Sequence, residues 1–416
     1  MSRSVSLTSP WLVAVALGII ATDASGSDLT ISGRTSETIE LNDNYGLSTN
    51  PSGVLGSYSA GNFTALYRTP TTRFTLNGDI VYRKYFGSDT TLGSFSETTR
   101  DVVSFRVDHD GKALGDRDFF SVSRTRQDAA IAQRNDLGFS SGLNGDLIIY
   151  NIGAGGARRL TDKDVVSASV NYVNTTYSPS SDSTTPYSSY SGSAGWSHST
   201  TRTIDLNVAG NVALSKYDNA ANTQVISSRA TGGVTIRLSN RLQVSGNAGI
   251  GIIKTDQDVA GPVAIVPAVT DPFNTPFFTP APAISGTVMA PVWDASLNYQ
   301  LLKNTGITFT ASEAFTTGTL GDISNRRNFN LGLSHTVNSK SSISANITMS
   351  ETGAPAGGFA TTFYTGSLSY SYRLAREWFV TATYAYRQIQ STSSQTGSAS
   401  SNSLLFVLSK DFVAKP

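Results

Sequence analysis

The sequence predicts an all-β fold: a transmembrane antiparallel up-and-down β-barrel of about eighteen strands, with short periplasmic turns and long extracellular loops. Three observations carry that prediction. Long stretches alternate apolar and polar residues with a period of two. These stretches are joined as hairpins whose turns are very short on one side only. The chain also opens on an export signal, and beyond it no apolar run approaches the length of a spanning helix.

The export signal occupies residues 1–24. Arg3 supplies a positive start, Trp11 to Ala21 forms an unbroken apolar run, and Thr22-Asp23-Ala24 offers small residues for cleavage. The run is only about half the roughly twenty residues that a membrane helix requires. Residues 25–34 are read as a short periplasmic segment, 35–412 as the barrel and 413–416 as a periplasmic tail. So short a leading segment leaves no room for a plug domain, which argues against an energised transporter. There is no cysteine, which excludes a lipoprotein anchor, thiolate metal sites and disulfides. Lys+Arg and Asp+Glu number 31 and 30, so net charge gives no reason to expect nucleic acid as a partner. Mean hydropathy is −0.13. A barrel with a polar interior has such a value, because half of each strand faces water.

The alternation is plainest from Ile204, where Ile204, Leu206, Val208, Val212 and Leu214 lie opposite Asp205, Asn207, Asn211 and Ser215. Successive strand residues point to opposite faces, so one face is apolar and the other polar. The pattern returns with Phe74, Leu76, Ile80 and Tyr82 opposite Asn77, Asp79 and Arg83, and with Val166, Val170 and Tyr172 opposite Ser167, Ser169 and Asn171. It continues with Trp293, Leu297, Tyr299 and Leu301 opposite Asp294, Ser296, Asn298 and Gln300. Towards the C-terminus, Ile343, Ile347 and Met349 oppose Ser344 and Asn346, and Leu368 and Tyr370 oppose Ser367 and Ser369. Such strands are about twice as long as those of a soluble sandwich. Short turns at Ser239-Asn240-Arg241, Lys303-Asn304, Asn338-Ser339-Lys340 and Ala375-Arg376-Glu377 join them in pairs, and further turns fall near Pro70, Gly111, Thr161 and Thr201. Eight hairpins and one strand at each end make about eighteen strands, an even number as antiparallel closure demands, with about sixteen as the alternative. Residues 127–143 leave room for an irregular strand or a loop. Both termini then lie on the periplasmic side.

The polar parity supplies candidate pore-lining residues: Asp79, Arg83, Arg106, Asp108, Asn207, Asn211, Asn247, Asp294, Asn298, Gln300, Asn346, Ser367 and Ser369. Tyr67, Phe74, Tyr172, Tyr299, Tyr372, Trp378, Tyr384 and Tyr386 share the apolar parity, as an aromatic girdle at the headgroup level requires. Between Thr255 and Ser285 a proline-rich loop carries Pro272, Phe273, Phe277 and Phe278. It is read equally as a constriction or lid folded into the bore and as a mobile surface loop.

No catalytic, cofactor or metal site is expected. The three histidines, His109, His198 and His335, each precede a short turn and share the apolar parity, which suits interfacial side chains better than hydrolysis. No serine sits in a Gly-x-Ser-x-Gly elbow. Asp89 and Asp322 are isolated loop acids, and Gly153-Ala154-Gly155-Gly156 opens no helix.

Glu40-Leu41-Asn42-Asp43-Asn44-Tyr45 resembles the acidic segment that ends the first strand of the second putative β-barrel porin family. Ser371-Tyr372-Arg373-Leu374 to Trp378, Tyr384-Ala385-Tyr386-Arg387 and Ser401-Asn402 to Phe412 are similar to that family's closing hairpin and last strand. Lys410 and the residues after Phe412 depart from a clean terminal pattern. The resemblance implies an outer-membrane channel in a Gram-negative bacterium and, for relatives encoded with exopolysaccharide systems, a part in polysaccharide export. The expected function is therefore a porin-like channel for polar solutes, among them a neutral or weakly charged polysaccharide. The alternative is a non-conducting structural or adhesive barrel, acting through its loops or as a scaffold for a periplasmic partner. Outer-membrane lipid, lipopolysaccharide, the barrel-assembly machinery and periplasmic polysaccharide-export proteins are the expected partners.

Overall fold

A computed structural model describes residues 28–47, 51–87, 97–111, 115–129, 131–132, 145–178, 185–219, 222–256, 286–317, 323–353, 359–391 and 398–414. The expected signal peptide and the proline-rich stretch with Pro272, Phe273, Phe277 and Phe278 lie outside the described residues, as do Asp89 and Asp322.

The strands follow one another in chain order. The first six are β1 (Asp28–Asn42), β2 (Val54–Arg68), β3 (Thr72–Gly87), β4 (Glu97–Asp110), β5 (Arg117–Asp128) and β6 (Asp146–Arg159). Then come β7 (Asp164–Ser178), β8 (Tyr187–Ser199), β9 (Ile204–Tyr217), β10 (Gln224–Ser239), β11 (Leu242–Asp256) and β12 (Gly286–Leu302). The last six are β13 (Thr305–Thr317), β14 (Ile323–Asn338), β15 (Ser341–Gly353), β16 (Phe359–Arg373), β17 (Trp378–Ser391) and β18 (Ser398–Ala414). Each pairs antiparallel with its chain neighbours, and β1 pairs with β18 from Ile31↔Ala414 to Asn42↔Ser403, closing an 18-stranded cylinder without an edge. The shortest strand has 12 residues. At about 3.4 Å per residue and a tilt near 40°, it spans roughly 30 Å, the thickness of a bilayer's hydrocarbon. No described helix is long and apolar enough to cross a membrane.

Two boundaries differ from the sequence reading. β1 starts at Asp28, inside the segment expected to precede the barrel, and β18 runs on to Ala414. The alternation is weak there, because Gly33, Thr35 and Glu37 interrupt the apolar parity of β1. Its place is set by pairing, with Gly33 beside Phe412 and Phe63. After β5 the chain takes a helical turn at residues 129 and 131–132, and the remainder of the stretch to 143 lies outside the described residues.

The short turns are built by side chains that bond their own backbone. Asn338 Oδ1 accepts from the Lys340 and Ser341 amides at 2.8 and 3.0 Å. Thr161 Oγ1 accepts from Lys163 and Asp164 at 3.1 and 3.0 Å, and Ser239 Oγ from Arg241 at 3.1 Å. All such turns, the start of β1 and the end of β18 share one end of the cylinder, and the longer links share the other.

That second end also holds the latch of the barrel seam. Asn42, buried at the end of β1, accepts from Ser401 Oγ of β18 at 2.9 Å and from the Asn44 amide at 2.9 Å. Asp43 accepts from the Asn402 backbone and side-chain nitrogens, both at 2.7 Å. The Asn-Asp-Asn segment therefore ties the first strand to the last.

Candidate channel lumen

The ladder sorts side chains into two faces. Ile80, Val170, Val208, Val212, Ile347 and Leu368 occupy one parity and are more than half exposed, a surface made for lipid. The other parity is concave, since its side chains meet across an intervening strand. Asn207 of β9 donates to Asn247 Oδ1 of β11 at 2.6 Å, passing over β10 at Gly233. A methyl group at Gly233 would strike the Asn247 amide, so glycine is what permits the contact. Asn247 donates onward to Asp294 Oδ2 of β12 at 2.7 Å, and Arg229 of β10 reaches Asp294 Oδ1 at 3.2 Å.

Asp79, Arg83, Arg106 and Asp108 stand on the inward parity of β3 and β4. Asn207, Asn211, Asn247, Asp294, Asn298 and Gln300 stand on that of β9, β11 and β12, and Asn346, Ser367 and Ser369 on that of β15 and β16. They are joined in short hydrogen-bonded rows. Asn330 of β14 donates to Thr348 Oγ1 at 3.1 Å, Ser245 and Ser296 meet at 2.7 Å, and Ser369 and Thr383 at 2.8 Å. Gln243, Asn298, Gln300, Thr308, Ser334 and Asn346 border a recess of about 880 Å³ near the short-turn end of β11–β15. Across the bore the lining is ionic: Arg106 pairs with Asp108 at 2.8 Å and lies over the Phe119 ring at 4.6 Å, while Arg117 pairs with Asp110 at 3.3 Å.

The aromatics Tyr67, Phe74, Tyr172, Tyr299, Tyr372, Trp378, Tyr384 and Tyr386 lie on the outward parity. Tyr67 and Phe74 pack at 5.9 Å beside a short turn, and Tyr172 and Tyr190 at 4.9 Å towards the long links. The three histidines are outward too, each bonded to its ladder partner near a short turn. His109 Nδ1 is 2.9 Å from Thr72 Oγ1, His335 Nδ1 2.8 Å from Thr305 Oγ1, and His198 Nδ1 2.8 Å from Asp164 Oδ1. Trp196 Nε1 also donates to Asp164 at 3.1 Å, so this carboxylate is an anchor for two interfacial rings. Among the described residues no group of three or more His, Cys, Asp or Glu side chains could hold a metal ion.

A second set of inward residues escaped the sequence reading. At the long-link end a subset of the inward positions, interspersed with buried polar ones such as Asn42, Thr98, Thr175 and Ser401, is apolar and buried, in four clusters. Tyr45 packs with Val54 and Tyr85; Leu47 with Ile389 and Ala399; Ala129 and Ala132 with Leu147 and Tyr177; Tyr217 with Val225 and Ile253. The links supply part of this collar. Leu47 holds φ +50° in the β1–β2 link, a left-handed conformation that costs a leucine roughly 1 kcal/mol or more, and it is only 8% exposed. Phe315 joins the fourth cluster although the β13 ladder gives it the outward parity. The β12–β13 pairing stops at Trp293↔Glu313, so β14 alone holds the end of β13. A signal for the collar was present: Tyr85, Tyr177 and Tyr217 fall out of phase with the apolar residues of their own strands, each next to a long link.

Among solved structures, Pseudomonas aeruginosa OpdK, crystallised with vanillate, is 10% identical, the match covering 93% of this chain and 99% of that one, with a TM-score of 0.46. Acinetobacter baumannii OccAB4 is 8% identical over 94% of this chain and 99% of that one, with a TM-score of 0.45. The ferric-catecholate import receptor Fiu from E. coli K12 is 10% identical over 91% and 81%, also at 0.45. Among curated proteins no sequence match was found. The closed barrel with its apolar exterior indicates an outer-membrane location. Residues 281–409 match the model of the family described as Putative beta-barrel porin 2, the family that the closing strands resemble.

Proposed function

We propose that the protein is an outer-membrane channel for polar solutes, including saccharides, with its short turns and both chain ends in the periplasm and its long links outside. One observation carries this reading: the inward parity of β11–β16 is a nearly continuous series of amides, hydroxyls and charges from the short-turn end towards the collar, within a cylinder of 18 strands. Barrels of about sixteen to eighteen strands enclose an aqueous bore. The recess lined by Gln243, Asn298, Gln300 and Asn346 offers paired donors and acceptors, the chemistry that replaces water around a sugar hydroxyl. Polysaccharide passage into an export system is the finer form of the proposal, supported by that lining and by the family resemblance. No catalytic role is assigned, because the histidines face outward and serve as interfacial anchors.

The apolar collar favours a second reading, a barrel whose bore is shut at the long-link end and which acts through its links or as a scaffold. Conductance separates the two. The refolded protein in a planar bilayer should carry steady single-channel currents that neutral oligosaccharides reduce in a concentration-dependent way. Silence from a folded, heat-modifiable barrel would remove the channel reading and leave the scaffold.

A further inference from the structure

The chain carries almost balanced charge, but the ladder distributes it unevenly. Within the strands Lys84, Lys216, Lys254 and Lys410 all take the outward parity, and every cation on the inward parity is an arginine. The arginines are densest on the inner wall of β2–β6 at the short-turn end, where Arg68, Arg73, Arg106, Arg117 and Arg159 face the bore. Asp108 and Asp110 neutralise Arg106 and Arg117. Among the described residues Arg68, Arg73 and Arg159 form no ion pair. Arg68 and Arg73 are moreover direct ladder partners. The row continues to Asp28 beside Arg68 and to Asp108 beside Arg73, and neither carboxylate forms an ion pair with its arginine, so both guanidinium forks stay open to the bore.

From this we infer that the β2–β6 wall is an oxyanion track, selecting solutes that carry carboxylate or phosphate groups, with Arg68 and Arg73 as the first guanidinium pair met from the short-turn end. The inference rests on the channel reading and names the charge of its substrate. A guanidinium offers a planar fork of donors that matches a carboxylate or phosphate, and it sheds water more readily than an ammonium. Positive side chains lining a bore attract anions and repel cations, which is how anion pores select. An acidic saccharide would then lie between two walls, its oxyanions on the arginines and its hydroxyls on the amides of β11–β15. The selected class is thus anionic, where the sequence pointed to neutral or weakly charged solutes.

The test is the reversal potential across a potassium chloride gradient, for the wild type and for Arg68→Gln/Arg73→Gln, with calorimetric titration of both detergent-solubilised barrels. The titrants are tetragalacturonate, inorganic phosphate and a neutral tetrasaccharide. Expected are a several-fold preference for chloride over potassium that the double variant brings close to unity, and a loss of oxyanion affinity of about fivefold or more, with neutral-sugar binding unchanged. Tetragalacturonate alone losing affinity would assign the track to carboxylates, phosphate alone to phosphates. A conducting channel without anion preference, or one whose preference survives in the variant, would overturn the inference and leave the channel reading standing. If the barrel does not conduct, that reading fails, and the titration alone decides: equal oxyanion affinity in both proteins, or none in either, overturns the track as well.

Discussion

The two ends of the cylinder follow the same ladder and fill it in opposite ways. At the short-turn end, inward positions carry Arg68, Arg73, Arg106, Gln243 and Gln300, side chains that keep water beside them. At the long-link end they carry Tyr85, Leu147, Tyr177, Tyr217 and Ile389, which are 2–7% exposed. Among the described residues nearly all the buried apolar ones lie at this second end, whereas the lipid-facing apolar residues in the middle of the wall are among the most exposed. A soluble domain packs its core between layers. Here the core is a ring, completed by links that fold back onto the mouth. The difference shows that the rule of polar residues inside holds only where the bore is wet. Where returning chain covers the wall, the inward positions become an ordinary interior and take ordinary core residues.

Substitutions of decreasing effect test that contrast. Leu147→Ala empties a site that is 2% exposed, packed against Ala129, Ala132 and Tyr177, and should cost about 2–5 kcal/mol. It is expected to produce the largest fall in the unfolding midpoint, read on unboiled gels or by thermal denaturation. A smaller fall than those of the changes below would show that the collar is not a core. Asn42→Ala strips the buried acceptor from the Ser401 hydroxyl and the Asn44 amide, and about 1–3 kcal/mol is expected. Its signature is early exchange of the β1–β18 amides in hydrogen-exchange mass spectrometry, ahead of the rest of the wall. Ser369→Ala breaks one hydroxyl pair, with Thr383, in the hydrated part of the bore, and no more than about 0.5–1.5 kcal/mol should be lost. A loss as large as that of Leu147→Ala would mean that the lumen wall, and not the collar, holds the barrel together.

Much of this was legible in the residues. Strand number, direction and pairing order follow from the hairpins, because a turn of two to six residues leaves an antiparallel strand no other neighbour. Facing followed from the period of two. Asn207 and Asp294 lie opposite Val208 and Trp293 in the sequence and do so in the ladder, since adjacent residues of a strand cannot share a side. The Asn42-Asp43-Asn44 segment was visible only as a resemblance. Its purpose needs Ser401 and Asn402, some 360 positions away, and so appears only once the barrel is closed.

The sequence by itself determined the architecture and assigned each side chain to a face, because both follow from local geometry repeated along the chain. It did not determine which residues meet across the bore or which inward positions are wet. The contact of Asn207 with Asn247 over Gly233 depends on curvature. The facing of Arg68 and Arg73 depends on how the β2–β3 turn sets their register. The burial of Tyr85 and Ile389 depends on Tyr45 and Leu47, which a link brings back over the mouth. These are relations between residues distant in sequence, and closure of the cylinder decides them: it makes one face concave and leaves the links only a shared mouth to cover.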